Sequence, residues 1–244
     1  MAEWEPLDGA VRTLVDAEPA PPNGRGQLVG WLQRMCTAAV RALPASGAGV
    51  SVMAPDGATA VTAASDAEAE RLEELETTLG EGPSGDAFAQ RRPVLEPDVA
   101  GRAMSRWPAF APAVLERGVH AVFALPLQVG AVRLGVLVVY RQAPEPLSRE
   151  ALALALTFAT VTVQRLLDER SGLGHGQRTE ALDEALGYRV QLYQAQGMVM
   201  IDLDVSLGEA MVRLRAYAYA RERRLSDVAR DVVAGTLRLE ADAP

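Results

Sequence analysis

With 244 residues, 49% of them hydrophobic and 23% charged, the chain has an ordinary globular composition and is long enough for two modest domains, each with its own core. That composition excludes the disordered, collagenous and membrane classes. A net charge of −8 argues against broad coating of nucleic acid, while one cysteine and two histidines exclude an internal disulfide and leave too few soft ligands for a zinc or iron–sulfur site.

No basic stretch leading into an apolar run and a small-residue cleavage site opens the chain, and the longest apolar stretches are interrupted by Arg, Gln or Pro. A cytoplasmic protein without membrane contact is expected. All the positive charge is arginine, since the sequence contains no lysine, so any nucleic-acid contact must be local.

Residues 1–26, ending in DAEPAPPNGRG, are rich in proline, glycine and acid and read as a flexible arm. Leu28, Leu32, Met35, Ala39 and Leu43 then recur at helical spacing up to Pro44, with Cys36 as a small buried thiol on the apolar face. The runs on either side of Pro55-Asp56-Gly57 predict a hairpin. AEAERLEELETTLG predicts a helix over 67–80 ending at Gly80, its glutamates forming a solvated face without a catalytic role.

Gly80, Gly82 and Gly85 lack the spacing of a phosphate-binding loop and read as turn glycines. After a strand in RRPVLEPDV, SRWPAFAPAVLERG reads as a short helix ending at Gly118. The branched, apolar runs VHAVFALPLQVG and VRLGVLVVYR form a second hairpin through Val129-Gly130-Ala131.

From Leu147 to about Arg170 a long helix carries two apolar stripes. One contains Leu147, Ala151, Leu154, Phe158 and Val161; the other contains Leu152, Leu156, Ala159, Val163 and Leu166. Two stripes imply two partners: the first suits a sheet, and the second suits either a helix–helix seam in a homodimer or burial in one larger core.

RSGLGHGQRTE, with Gly172, Gly174 and Gly176, marks a domain boundary, and three helices follow at about 180–203, 206–221 and 225–237. Ser206 and Glu209 give the second of them a capping signal. On that helix Arg213, Arg215 and Tyr219 fall off the apolar side and are available for contact. The first helix carries two stripes, Leu186, Val190, Tyr193, Gly197 and Met200 on one line and Leu192, Gln196, Val199 and Leu203 on the other. Gly197 has no side chain and so allows a helix or an RNA backbone to come close. No paired histidine and acid, activated nucleophile or phosphate loop is readable, so no enzyme activity and no cofactor are expected.

LGEGPSGDAFAQRRPVLEPDV, followed by RWPAFAPAVLERGVHAVFALPLQVGAVRLGVLVVYR, resembles a GAF domain of the type common in actinobacterial regulators. LDEALGYRVQLYQAQGMVMIDLDVSLGEAMVRLRAYAYARERRLSDVARDVV resembles an ANTAR domain, the RNA-binding output module of transcription antiterminators. The matching positions are Arg189, Ala195, Gly197, Met200, Glu209, Ala210, Leu214, Arg215, Leu225, Asp227, Val228 and Ala229.

Together the resemblances imply an α+β chain. A flexible arm (1–26) leads to a GAF sensory domain (27–170) whose antiparallel sheet is flanked by helices. A linker (171–179), an all-α three-helix ANTAR domain (180–238) and a tail (239–244) follow. They imply a GAF domain that either binds a small-molecule ligand or chromophore or serves as a dimerisation platform without one, a homodimer, and binding of nascent mRNA carrying paired stem-loops, so that a competing terminator hairpin does not form.

The expected RNA-binding set is Arg189, Gln194, Gln196, Gly197, Arg213, Arg215, Tyr219, Arg223 and Arg224: Arg189, Gly197 and Arg215 are positions of the ANTAR match, Arg213 and Tyr219 lie off the apolar side of their helix, and arginines outnumber acids locally in the last two helices. The chain has Ser84 where many GAF relatives carry cysteine, Gln196 where ANTAR relatives usually carry lysine, and Glu222 where they often carry asparagine. The change at 196 replaces a phosphate contact with a neutral amide. The alternative is therefore a protein-interaction module that has lost RNA binding.

Overall fold

The computed structural model describes residues 5–21, 27–53, 59–172 and 180–240. The N-terminal sheet is built on strict alternation. Along β4 (Ala121–Val129) and β5 (Val132–Arg141), Phe123, Leu125, Leu127, Leu137 and Val139 enter one apolar cluster. Val122, Ala124, Val136, Val138 and Tyr140 enter the other, as a period of two requires of strands buried on both faces. With β1 (Gly47–Met53), β2 (Thr59–Ala64) and β3 (Val94–Glu96), these strands form an antiparallel sheet of order β2-β1-β5-β4-β3. Both expected hairpins are present. The β4–β5 turn uses Gly130 at φ 55°, while Pro55-Asp56-Gly57 lies outside the described residues.

Helices cover both faces. α2 (Gln27–Ala42) and α7 (Arg149–Gly172) pack on one, with Cys36 fully buried between α2 and β2, its thiol pushed up by burial. On the other lie α3 (Ala67–Leu79), α4 (Pro83–Gln90), α5 (Met104–Arg106) and α6 (Phe110–Leu115). The helix expected over SRWPAFAPAVLERG is thus split. The break falls at Trp107-Pro108, where proline disfavours helical geometry in the residue before it. GEGPSGDAF, read as turns, instead starts α4 with Pro83 at its first position, where a missing N–H costs nothing.

The expected flexible arm is corrected over residues 5–16. Residues 5–16 form α1 (Glu5–Asp16), which packs on α2 and α7, fully buries Val11 and Val15, and has Arg12 donating to Gln164 Oε1 at 2.6 Å. Ala159, Val163 and Leu166, from the second stripe of α7, lie in the same cluster as Val11 and Val15. The chain's own first helix therefore packs on the end of α7 that carries this part of the stripe, while Leu156 of the same stripe stays 37% exposed. By length and composition residues 149–169 could cross a membrane, but their apolar character is used in covering the sheet and α1.

Residues 171 and 172 complete α7, and the rest of the expected linker, His175 included, lies outside the described residues. Beyond it α8 (Glu180–Leu203), α9 (Leu207–Ala220) and α10 (Leu225–Val233) enclose a core of their own, centred on Ala195, Leu214, Ala218 and Val228. Ser206 caps α9 by accepting from the Glu209 N–H at 3.2 Å. α10 ends four residues before the expected 237 because Gly235, at φ 71°, takes the left-handed turn and the N–H groups of Thr236 and Leu237 close on Asp231.

Candidate functional site

Of the residues implied in RNA contact, Arg213 and Tyr219 face outward on α9. Tyr219 is 54% exposed, and Arg213 is held by Glu209 one turn earlier at 3.0 Å. Gln194 is exposed on α8, on a side that also shows Val190, Tyr193, Met198 and Ile201, the last 74% exposed. Gly197 sits within this strip, and a Cβ there would meet nothing within 4 Å. The close approach expected at Gly197 is therefore absent from the described residues. Arg223 is tied within the bundle to Asp231 at 2.6 Å, a contact that pushes its guanidinium pKa up. The side chain of Arg189 lies outside the described residues.

Gln196 is corrected by the structure. It is only 9% exposed, and its Nε2 donates to the carbonyl of Leu207 at 2.7 Å, tying α8 to the start of α9. An amide suits this position because it satisfies a carbonyl without bringing a charge into a buried site. The residue braces the bundle and is not presented to a partner.

Arg215 and Arg224 point a third way, onto the N-terminal domain. The Arg215 guanidinium lies against Gly80, so closely that a methyl group at Gly80 would collide with it. Gly80 caps α3 at φ 72°, and the negative end of the helix dipole favours a cation there. Arg224 pairs through Nε with Glu74 at 3.0 Å and through Nη1 with Glu70 at 3.3 Å. Burial lifts the Glu74 carboxyl to about 7 against the opposing pull of Arg224. Arg215, Leu192 and Leu225 roof a cavity of about 120 Å³ whose floor includes Glu73, Glu76 and Ser84. The expectation that Arg215 stands free for contact is thus corrected.

The floor of the cavity was not legible as a site, since the α3 glutamates read as solvated. Glu73 and Glu76 are in fact buried. Glu73 accepts from Ser51 Oγ at 2.6 Å and from Tyr140 Oη at 2.7 Å, and burial drives both the Glu73 and Tyr140 pKa values up. Glu76 accepts the N–H groups of Ser84 at 2.6 Å and Gly85 at 3.1 Å, with Ser84 Oγ at 2.7 Å from its other oxygen. Burial first, and then Glu73, push its carboxyl up to about 8.

The glycine loop therefore does cradle an acidic group, one supplied by the chain itself. Gly49 and Gly82 make the room, since a Cβ at either would strike Glu73 or Glu76. The available sequence signal was spacing, because Ala69, Leu72, Glu73 and Glu76 share one helical face, with the two acids continuing an apolar line. Among the described residues no group of three His, Cys, Asp or Glu side chains is placed to hold a metal ion.

The comparisons with known proteins agree with this division. Residues 28–165 match the GAF domain family and residues 180–233 match the ANTAR domain family. The fold is similar to the GAF domain of a phosphoenolpyruvate-protein phosphotransferase from Coxiella burnetii, at 19% identity and TM-score 0.50 over 69% of this chain and 95% of that one. It is also similar to the GAF domain of the Acinetobacter phosphoenolpyruvate-protein phosphotransferase, at 12% identity and TM-score 0.50 over 72% of this chain and 100% of that one. No curated protein matches the chain. GAF domains are signalling modules and ANTAR domains RNA-binding ones, and neither is a catalytic class. The chain belongs to the GAF domain family and carries an ANTAR domain after it.

Proposed function

We propose that this protein is an RNA-binding regulator of transcription termination: its ANTAR bundle grips paired stem-loops in nascent mRNA, and its GAF domain receives the signal. The observation that carries the reading is the match of residues 180–233 to the ANTAR domain family, with Tyr219 exposed and Arg213 part-exposed on α9. Arginine and an exposed aromatic ring on one rigid helix suit RNA, whose splayed loop bases stack while arginines hold the flanking phosphates. The working place of such a protein is the cytoplasm, where transcripts are made.

The cavity floored by Glu73, Glu76 and Ser84 is the place for a small ligand of the GAF domain. A second copy of the chain would pair through the apolar strip of α8, which contains Val190, Tyr193 and Ile201. That same strip favours the alternative reading, a protein-docking module. Gel-shift titration against transcripts bearing two short stem-loops separates the two. We expect binding at micromolar protein that weakens as salt rises; absent or salt-independent binding rejects the RNA reading.

A further inference from the structure

Arg215, a position of the ANTAR match, and Arg224, one of the arginines that outnumber acids in the last two helices, are both in the expected RNA-binding set, yet both are engaged by α3 of the GAF domain. We propose that α3 and RNA compete for these two arginines, so that the docked arrangement is the weaker RNA-binding state of the protein. The inference rests on the RNA-binding reading above and adds the means by which one domain restrains the other.

The dock has two parts. At the C-terminal end of α3, Arg215 lies on Gly80, where the absence of a side chain lets the guanidinium reach the helix end. One to three turns earlier on the same helix, Glu74 and Glu70 clasp Arg224. An RNA phosphate would make the same charge-assisted, forked contacts with each guanidinium, and neither arginine can serve both partners at once. Leu192 and Leu225 close over the cavity between these polar contacts, so undocking also opens the cavity. Tyr219 stays 54% exposed and Arg213 part-exposed on α9, which leaves the docked bundle part of its RNA face. The restraint is therefore a matter of degree: partly exposed ion pairs are individually weak, which suits a dock that must release.

The test uses the full chain and a library of labelled transcripts, each carrying two short stem-loops with randomised loops. Glu70→Gln with Glu74→Gln removes the clasp and leaves both arginines in place. Glu116→Gln with Glu145→Gln changes the net charge equally at exposed positions outside the clasp. RNA affinity and amide hydrogen exchange in α9 and α10 are measured for each, the exchange without RNA.

We expect the clasp variant to bind roughly five- to tenfold more tightly, the fold-change that two modest ion pairs of this kind supply. Its α9 and α10 exchange should also be faster, with the control matching wild type on both readouts. Unchanged exchange in the clasp variant overturns the dock. Faster exchange with unchanged affinity overturns the competition, and an equal gain in the control reduces the effect to net charge and overturns it too. If no chain binds RNA, the proposal falls together with the RNA reading, and the exchange result shows whether the dock itself was real.

Discussion

Glu76 caps a helix that has no capping side chain of its own: Gly82 stands at the cap position of α4, and the Glu76 carboxyl takes the N–H groups of Ser84 and Gly85 in its place. In the folded chain this acid holds its proton up to about pH 8, against an ordinary value of 4.5. The fold binds a proton that the unfolded chain releases, so this contribution is complete below about pH 4.5 and is lost as pH rises through 8. Glu73 acts in the same direction.

Stability to urea should accordingly fall between pH 5 and pH 8, by up to about 1.4 kcal/mol per pH unit for each such group. Glu76→Gln, whose amide can accept both N–H groups and donate to Ser84, should match wild type near pH 5 and flatten the fall. A wild-type profile that rises over this range contradicts the assignment. Gln196 makes the same point on the other domain. Gln196→Ala abandons the Leu207 carbonyl and should cost about 1 kcal/mol in denaturant unfolding, whether or not RNA is present.

α1 shows what the sequence conveyed about elements and what it hid. Its Val11 and Val15 are spaced for a helix, but the following DAEPAPPNGRG dominated the reading of the segment. The period of the second stripe of α7 signals a partner, and for Ala159, Val163 and Leu166 the cluster they enter includes Val11 and Val15 of α1. Elements with both a period and a terminal signal were legible: α3 with Gly80, α9 with Ser206 and Glu209, and the β4–β5 hairpin with Gly130. The helix split at Pro108 failed because the apolar pattern was followed across a proline. Val11→Asp buries a charge against α7 and should cost about 3 kcal/mol or more by thermal or urea unfolding. A change within 0.5 kcal/mol would show that α1 is not part of the core.

At the scale of the molecule, the order of domains was readable from motif content, while their contact was not. Helical projection placed Arg215 correctly off the apolar side of α9, but only the fold brings Gly80 to it, from far earlier in the chain. Glu73 and Glu76 were misread for a related reason: carboxylates belong at the surface unless partners exist, and their partners Ser51, Tyr140 and Ser84 come from three separate elements. The central claim, that the outer face of the ANTAR bundle holds RNA phosphates, is tested most directly by the slope of log affinity against log salt for wild type and Arg213→Ala. Removing one phosphate contact should make the slope shallower by about 0.7 to 1 and weaken binding across all transcripts alike. An unchanged slope would contradict the account.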